Sequence, residues 1–278
     1  MKACQIVVPL YAELHTLFLE SLYLLKEVTD ILLVENDPTK SRAQFFEQEL
    51  DIEYLPYQEN NVYRAWNLGV DVSNKKKYKY TIVSSTDIYL NPSIVLKFIS
   101  ALQDRSFVCS YQFFDNPAMH PYLSHQQFQN QIMSFVPFAV RPKAQYDCFA
   151  IRNSLLDEIG VFNEECKVYF GDTDFTLRMR ERDIEPVQYT SLKVLHMSKT
   201  DFSTHTLRQC SVEETTRQLQ RDAEVFVSLW DHKWEWANKE AYKYMRIHLT
   251  ALKLPNCPFN SEEYYNNELL VRAIDQLG

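Results

Sequence analysis

Over the first 102 residues, short apolar runs alternate with longer segments whose apolar residues recur at helical spacing. CQIVVPL (4–10), ILLVE (31–35), IEYLP (52–56) and YKYTIVSS (78–85) read as strands. Between them, Leu14, Phe18, Leu22 and Leu25 mark an amphipathic helix over 13–28. Further helices are expected over 40–50 and, opened by Asn, over 60–72. Asn91 as N-cap and Pro92 at the first helical position start another, through Leu102. This alternation implies an α/β fold, a mostly parallel sheet with helices on both faces. Ligands of such sheets bind at the C-terminal strand ends. The pair Glu35–Asn36 and the lone carboxylate of Asp87 fall there.

With 278 residues the chain is long enough for one large α/β domain and an appendage. Hydrophobic residues make up 46%, enough for a full core. The net charge of −8 argues against a nucleic-acid partner. It leaves a nucleotide ligand open, because a divalent metal can neutralise phosphates. Glycine occurs only at 69, 160, 171 and 278, which excludes glycine-rich phosphate loops of the dinucleotide-binding and P-loop types. The six cysteines lie far apart without a C-x-x-C pair, as free thiols in a reducing compartment would. The opening MKACQIVVPLYAE meets Glu13 too soon for a signal peptide, and no apolar stretch is long enough to span a bilayer. A cytoplasmic location is expected, at most at the inner face of a membrane.

Beyond residue 105 the rhythm changes. SFVCSYQFF and YDCFAIR read as strands on either side of a long stretch rich in Gln, Phe, His and Pro. A connection of that length is usually a binding loop or lid. Its aromatics, Tyr111, Phe113, Phe114, His120, Tyr122 and Phe138, suit either a sugar-binding wall or a packed loop core. A short helix (NSLLDEIG), a loop entering a helix (170–183) and two short strands (VQYT, LKVLHM) follow. From 206 the sequence reads as helical. Ser211 and Glu214 form a capping box before the stripe Val212, Leu219, Ala223, Phe226 and Trp230. Two more helices are expected over 236–253 and from Asn260 to Gln276. The organisation expected is a domain over 1–205 with a helical extension over 206–278.

Five segments, in order, resemble the family 2 glycosyltransferases, nucleotide-diphospho-sugar transferases of GT-A fold. VVPLY is similar to that family's V-x-P-x-Y-N, and LLVEND to I-V-V-D-N-G. NNVYRAWNLGV is similar to its N-x-G-x-x-x-A-x-N-x-G helix, and TIVSSTDIYLNP to the segment carrying D-x-D before L-x-P. GVFNEECKVYFGDTDFTLRMRERD with LKVLH is similar to G-x-F-D-E…E-D-x-D-x-x-x-R and its later V-x-H. The resemblance covers about residues 4 to 205 and leaves the helical tail outside it.

What the resemblance implies is a nucleoside-diphosphate sugar donor, UDP- or dTDP-linked. The acceptor would be a saccharide or lipid-linked saccharide of a surface glycan, and transfer would proceed with inversion. Asp87 and His196 would hold a divalent metal, Mn²⁺ or Mg²⁺, that neutralises the leaving diphosphate. Ser85 stands where the family has a further acid, beside Thr86. Asp172 would be the general base, ionised at a helix N-terminus, with Gly171 in place of the usual Glu. Asp174 would orient the acceptor or pair with Arg178. Pro9, Tyr11, Glu35, Asn36, Arg64 and Asn67 would meet the donor. The departures at Ser85 and Gly171 support an alternative, a degenerate relative that binds a glycan or protein without catalysis. The C-terminal helices suit a homodimer, and at most a peripheral membrane contact.

Overall fold

Strand β1 (Cys4–Leu10) is buried along its whole length, so its sequence is a continuous apolar run rather than an alternation. It lies in the middle of the parallel half of a sheet, between β2 (Asp30–Glu35) and β4 (Tyr80–Ser84), with β3 (Glu53–Pro56) beyond β2. Val7 pairs with Leu32 and Val83, and Ile6 with Ile31 and Ile82, so like faces stay aligned across the strands. The computed structural model describes residues 3–11, 14–37, 39, 41–57, 59–114, 146–196, 212–230 and 233. Within them the sheet has eight strands, in the order β3-β2-β1-β4-β7-β6-β8-β5. The remaining strands are β5 (Ile88–Tyr89), β6 (Phe107–Phe114), β7 (Cys148–Arg152) and β8 (Val187–His196).

Helices cover both faces. α1 (Thr16–Leu25) and α3 (Pro92–Asp104) pack Phe18, Leu22, Ile94 and Phe98 on the side of Ile6, Val8 and Leu33. The other side takes α2 (Val62–Lys75), α4 (Leu155–Ile159), α5 (Gly171–Arg180) and α6 (Val212–Trp230). α2 comes very close to β1. A Cβ at Gly69 would lie 2.1 Å from Val7 Cγ1, so only glycine lets this helix settle there. Leu219, Ala223, Phe226 and Trp230 of α6 are buried in the same core as Tyr63, Phe162 and Phe175. The helix over Val212–Trp230 therefore covers part of this face of the sheet.

Three local expectations are revised. The helix over 40–50 is a π-helix over Gln44–Glu49, in which Leu50 N donates to Phe45 O. Its wide turn goes with a fully buried Phe46 stacked on Tyr54. β5 is a two-residue strand absent from the sequence reading, too short to show a period. VQYT and LKVLH form one strand, because a register shift between Ser110 and Tyr111 of β6 absorbs the irregularity between them. The sheet is mostly parallel, as expected, with β7 running antiparallel between β4 and β6.

The described cysteines Cys4, Cys109, Cys148 and Cys166 are free and buried. Burial pushes the Cys4 and Cys148 thiols up to about 12. No helix among the described residues is long and apolar enough to cross a membrane. The helices expected over 236–253 and 260–276, the dimer contact assigned to them, and the aromatics His120, Tyr122 and Phe138 lie outside the described residues.

Candidate active site

The C-terminal tips of β1, β2, β4, β6 and β8 lie at one end of the sheet, together with the start of the antiparallel β7. β4 ends at Ser84, and a tight turn, closed by Ile88 N donating to Ser85 O at 3.3 Å, reverses the chain into β5. Asp87 occupies that turn and is 1% exposed. The Ser85 hydroxyl donates to Asp87 Oδ1 at 2.6 Å. β5 pairs with the last residue of β8, Ile88 opposite His196, and this puts His196 Nε2 3.4 Å from Asp87 Oδ2. Residues 109 positions apart in sequence thus form one corner. A serine two positions before Asp87 supplies a hydrogen-bond donor where a second acid would supply a like charge. Ser85 is itself fixed by the carbonyl of Asp147, which accepts from its backbone N–H at 2.9 Å. Sequence reading overlooked Asp147, because its part in the corner is played by the main chain. Thr86 is buried, and among the described residues its hydroxyl has no hydrogen-bond partner.

The tips of β1 and β2 are knitted to the start of α2. Asn36 N donates to Leu10 O at 2.9 Å, and Asn36 Oδ1 accepts from Asn61 N at 3.1 Å. Asn61, rather than Asn60, is the N-cap, accepting from Arg64 N. Asn60 instead donates to the Tyr11 hydroxyl at 3.3 Å. Pro9 lies within β1 opposite Val34. Glu35 is fully buried, and its carboxylate accepts from Tyr54 and faces the Arg42 guanidinium at 3.2 Å. Burial pushes its carboxyl up, while Arg42, Tyr54 and the Asp37 N–H pull it back. Arg42 carried no sequence signal, because only the fold brings it to Glu35.

Arg64 stands at the rim, half exposed, 3.2 Å from Glu59 and 3.5 Å from Glu164, above the Tyr57 ring. Asn67, one turn further in, is engaged inside the fold. It donates to Phe162 O at 2.8 Å and to Glu164 Oε1 at 2.9 Å, and accepts from Phe162 N at 2.9 Å.

Asp172 lies in the first turn of α5. Its Oδ1 accepts from Thr173 N at 2.8 Å. The Tyr146 hydroxyl meets Thr176 one turn further along α5, and Tyr146 directly precedes Asp147. Burial pushes the Tyr146 hydroxyl well up, with Cys109 next, Thr176 pulling it back and Asp172 adding a smaller push. Asp174 is 3% exposed, and both its oxygens are in use. Oδ2 accepts from Arg178 Nε and Nη2 at 3.0 and 2.8 Å, and Oδ1 from Trp230 Nε1 at 3.0 Å. Of the two roles expected for it, the ion pair with Arg178 is present. Gly171 has a physical reason. A Cβ there would lie 2.5 Å from the Tyr63 ring, which fills the space an acidic side chain would need. Gly171→Ala should cost about 1–3 kcal/mol in urea denaturation, and Tyr63→Leu in the same chain should recover part of it.

Solved structures share this architecture. S. aureus TarS 1–349 in complex with UDP-GlcNAc superposes with a TM-score of 0.54 at 14% identity, over 99% of this chain and 82% of that one. Its UDP complex gives 0.51 at 13% identity, over 92% and 76%. GalNAc-T7 with UDP, GalNAc and Mn²⁺ gives 0.57 at 11% identity, over 96% of this chain and 54% of that one. The chain has the GT-A fold. No protein-family model matches the sequence, and no curated protein is significantly similar to it. In this GT-A sheet the candidate residues fall into three groups. The Ser85–Asp87–His196 corner is at the tips of β4 and β8. The Tyr11, Glu35 and Asn36 group is at the tips of β1 and β2. Asp172 is at the start of α5.

Proposed function

We propose that the chain is a glycosyltransferase that moves a sugar from a UDP- or dTDP-linked donor to a saccharide acceptor of a surface glycan, with inversion. One observation carries the reading: a carboxylate, a hydroxyl and an imidazole meet at the sheet end where α/β folds bind ligands. That set fits a hard divalent ion. Asp87 gives oxygen and His196 nitrogen, while among the described residues no group of three His, Cys, Asp or Glu is placed to hold an ion. Such a pair leaves positions for diphosphate oxygens and water. When bound, the ion would act as a Lewis acid on the leaving diphosphate.

The chain's own residues do the rest. Ser85 holds Asp87 in place, and the Asp147 carbonyl holds Ser85. Tyr11 and Asn36 form the floor for the nucleoside, with Arg64 at its rim. Asp172 takes the proton from the acceptor hydroxyl as that oxygen attacks the anomeric carbon. The partly positive helix N-terminus keeps its carboxylate charged for this task. The binding-only alternative keeps one observation, the Tyr63 ring in the place of the acid before Asp172.

The test is calorimetric titration with UDP, dTDP and GDP in Mn²⁺, in Mg²⁺ and in EDTA. Metal-dependent binding of UDP or dTDP supports the reading and names the donor class. Binding that ignores EDTA keeps the transferase and removes the ion from it. No binding of any nucleotide favours the non-catalytic alternative.

A further inference from the structure

We infer that Asp222, on α6, is a positioning residue that sets the segment carrying Asp172. This rests on Asp172 being the base, and adds the group that aims it. Asp222 is 0% exposed, and its carboxylate gathers three consecutive backbone amides of the loop before α5. Lys167 N donates to Oδ1 at 3.1 Å, Val168 N to Oδ2 at 3.0 Å and Tyr169 N to Oδ2 at 2.9 Å. Gln218, one turn earlier on α6, donates to Oδ1 at 2.7 Å. From the opposite side, α2 holds the same loop. Val62 N donates to Lys167 O at 2.9 Å, and the Tyr63 hydroxyl to Val168 O at 3.0 Å.

The next residue, Phe170, has φ 65°, a left-handed conformation that costs a non-glycine residue energy unless its surroundings impose it. Its ring stacks on Phe226, with centroids 5.2 Å apart. One further turn along α6, Trp230 donates to Asp174. Positions 222, 226 and 230 recur every fourth residue and so share one helix face. That face grips 167–169, then 170, then 174, on both sides of Asp172. A left-handed residue held from both sides, two positions before Asp172, fixes where the first turn of α5 begins. General-base catalysis is sensitive to such placement, since small displacements of a reacting group cost large factors in rate.

The experiment uses the full chain and a panel of UDP- and dTDP-linked sugars, with nucleotide release as the readout. Asp222→Asn keeps the size of the side chain but turns an N–H donor toward amide donors. It should lower kcat roughly 10- to 100-fold while donor KM and UDP affinity stay within about twofold. Added to Asp172→Asn, it should lower kcat no further, because a group that acts through the base has nothing left to aim. A kcat equal to wild type, or a loss that multiplies with that of Asp172→Asn, would overturn the inference while the base assignment stands. Full turnover in Asp172→Asn, or no turnover by the wild-type chain on any donor, would overturn the underlying reading, and the inference with it. Should Asp222→Asn not fold, Gln218→Met removes one partner of the same carboxylate. It should then lower kcat about threefold, with the same non-additivity.

Discussion

Asp87→Ala is expected to lower donor turnover on the order of 10³-fold and to abolish the metal dependence of nucleotide binding. The effect is large because the carboxylate has no substitute nearby. Among the described residues no third acid, histidine or cysteine completes a cluster around it. Its neighbour in the corner, His196, is neutral or positive and cannot replace an anion. Ser85→Ala is the instructive contrast. It removes one hydrogen bond to Oδ1 and leaves the Oδ2 contact with His196, so a loss of roughly tenfold or less is expected. The measurement is nucleotide affinity by calorimetry in Mn²⁺ and in EDTA, beside steady-state turnover. If Asp87→Ala bound UDP as wild type does, with the same response to EDTA, the corner would have no part in holding the donor.

Asp172→Asn is expected to lower kcat by about 10²- to 10⁴-fold, the range for removing a general base. Nucleotide affinity should stay within roughly twofold, because the proposed role of the residue is toward the acceptor rather than the donor. That split separates it from Asp87→Ala, which acts on both quantities. Asparagine preserves the oxygen that accepts from Thr173 N, so the first turn of α5 keeps its local hydrogen bond. A drop in affinity equal to the drop in kcat would assign Asp172 to donor binding instead.

What the sequence made legible were features written locally. The uninterrupted apolar runs of β1, β2 and β4 reflect burial on both faces. Asn91 accepts from Ile94 N with Pro92 in the first turn, as that pairing of residue types implies. The Asp87–His196 corner was legible as well, but by a different route. Nothing in the spacing of residues 87 and 196 says that they meet, and only the order of motifs along the chain suggested it. Glu35 shows where that route stops. It stands at the strand tip as a donor-contacting acid should, yet Arg42 and Tyr54 take hold of its carboxylate from a neighbouring turn and strand. Asn67 and Asp174 are engaged in the same way by partners on other elements. Hydrogen bonds of this kind have no periodicity, so no window of sequence contains them.

The grip of α6 on the loop before α5 has a consequence for how the molecule is made. Every strand and helix described before α6 leaves the ribosome before Asp222 does. Until then the amides of 167, 168 and 169 lack the Asp222 carboxylate, and Phe170 lacks the ring of Phe226. The sheet can pair strand by strand during synthesis, whereas the turn that presents Asp172 awaits a helix still being translated. The Asp87–His196 corner therefore needs no residue of α6, whereas the turn before Asp172 does; on the proposed reading, a nascent chain would hold its donor-side residues in place before its base.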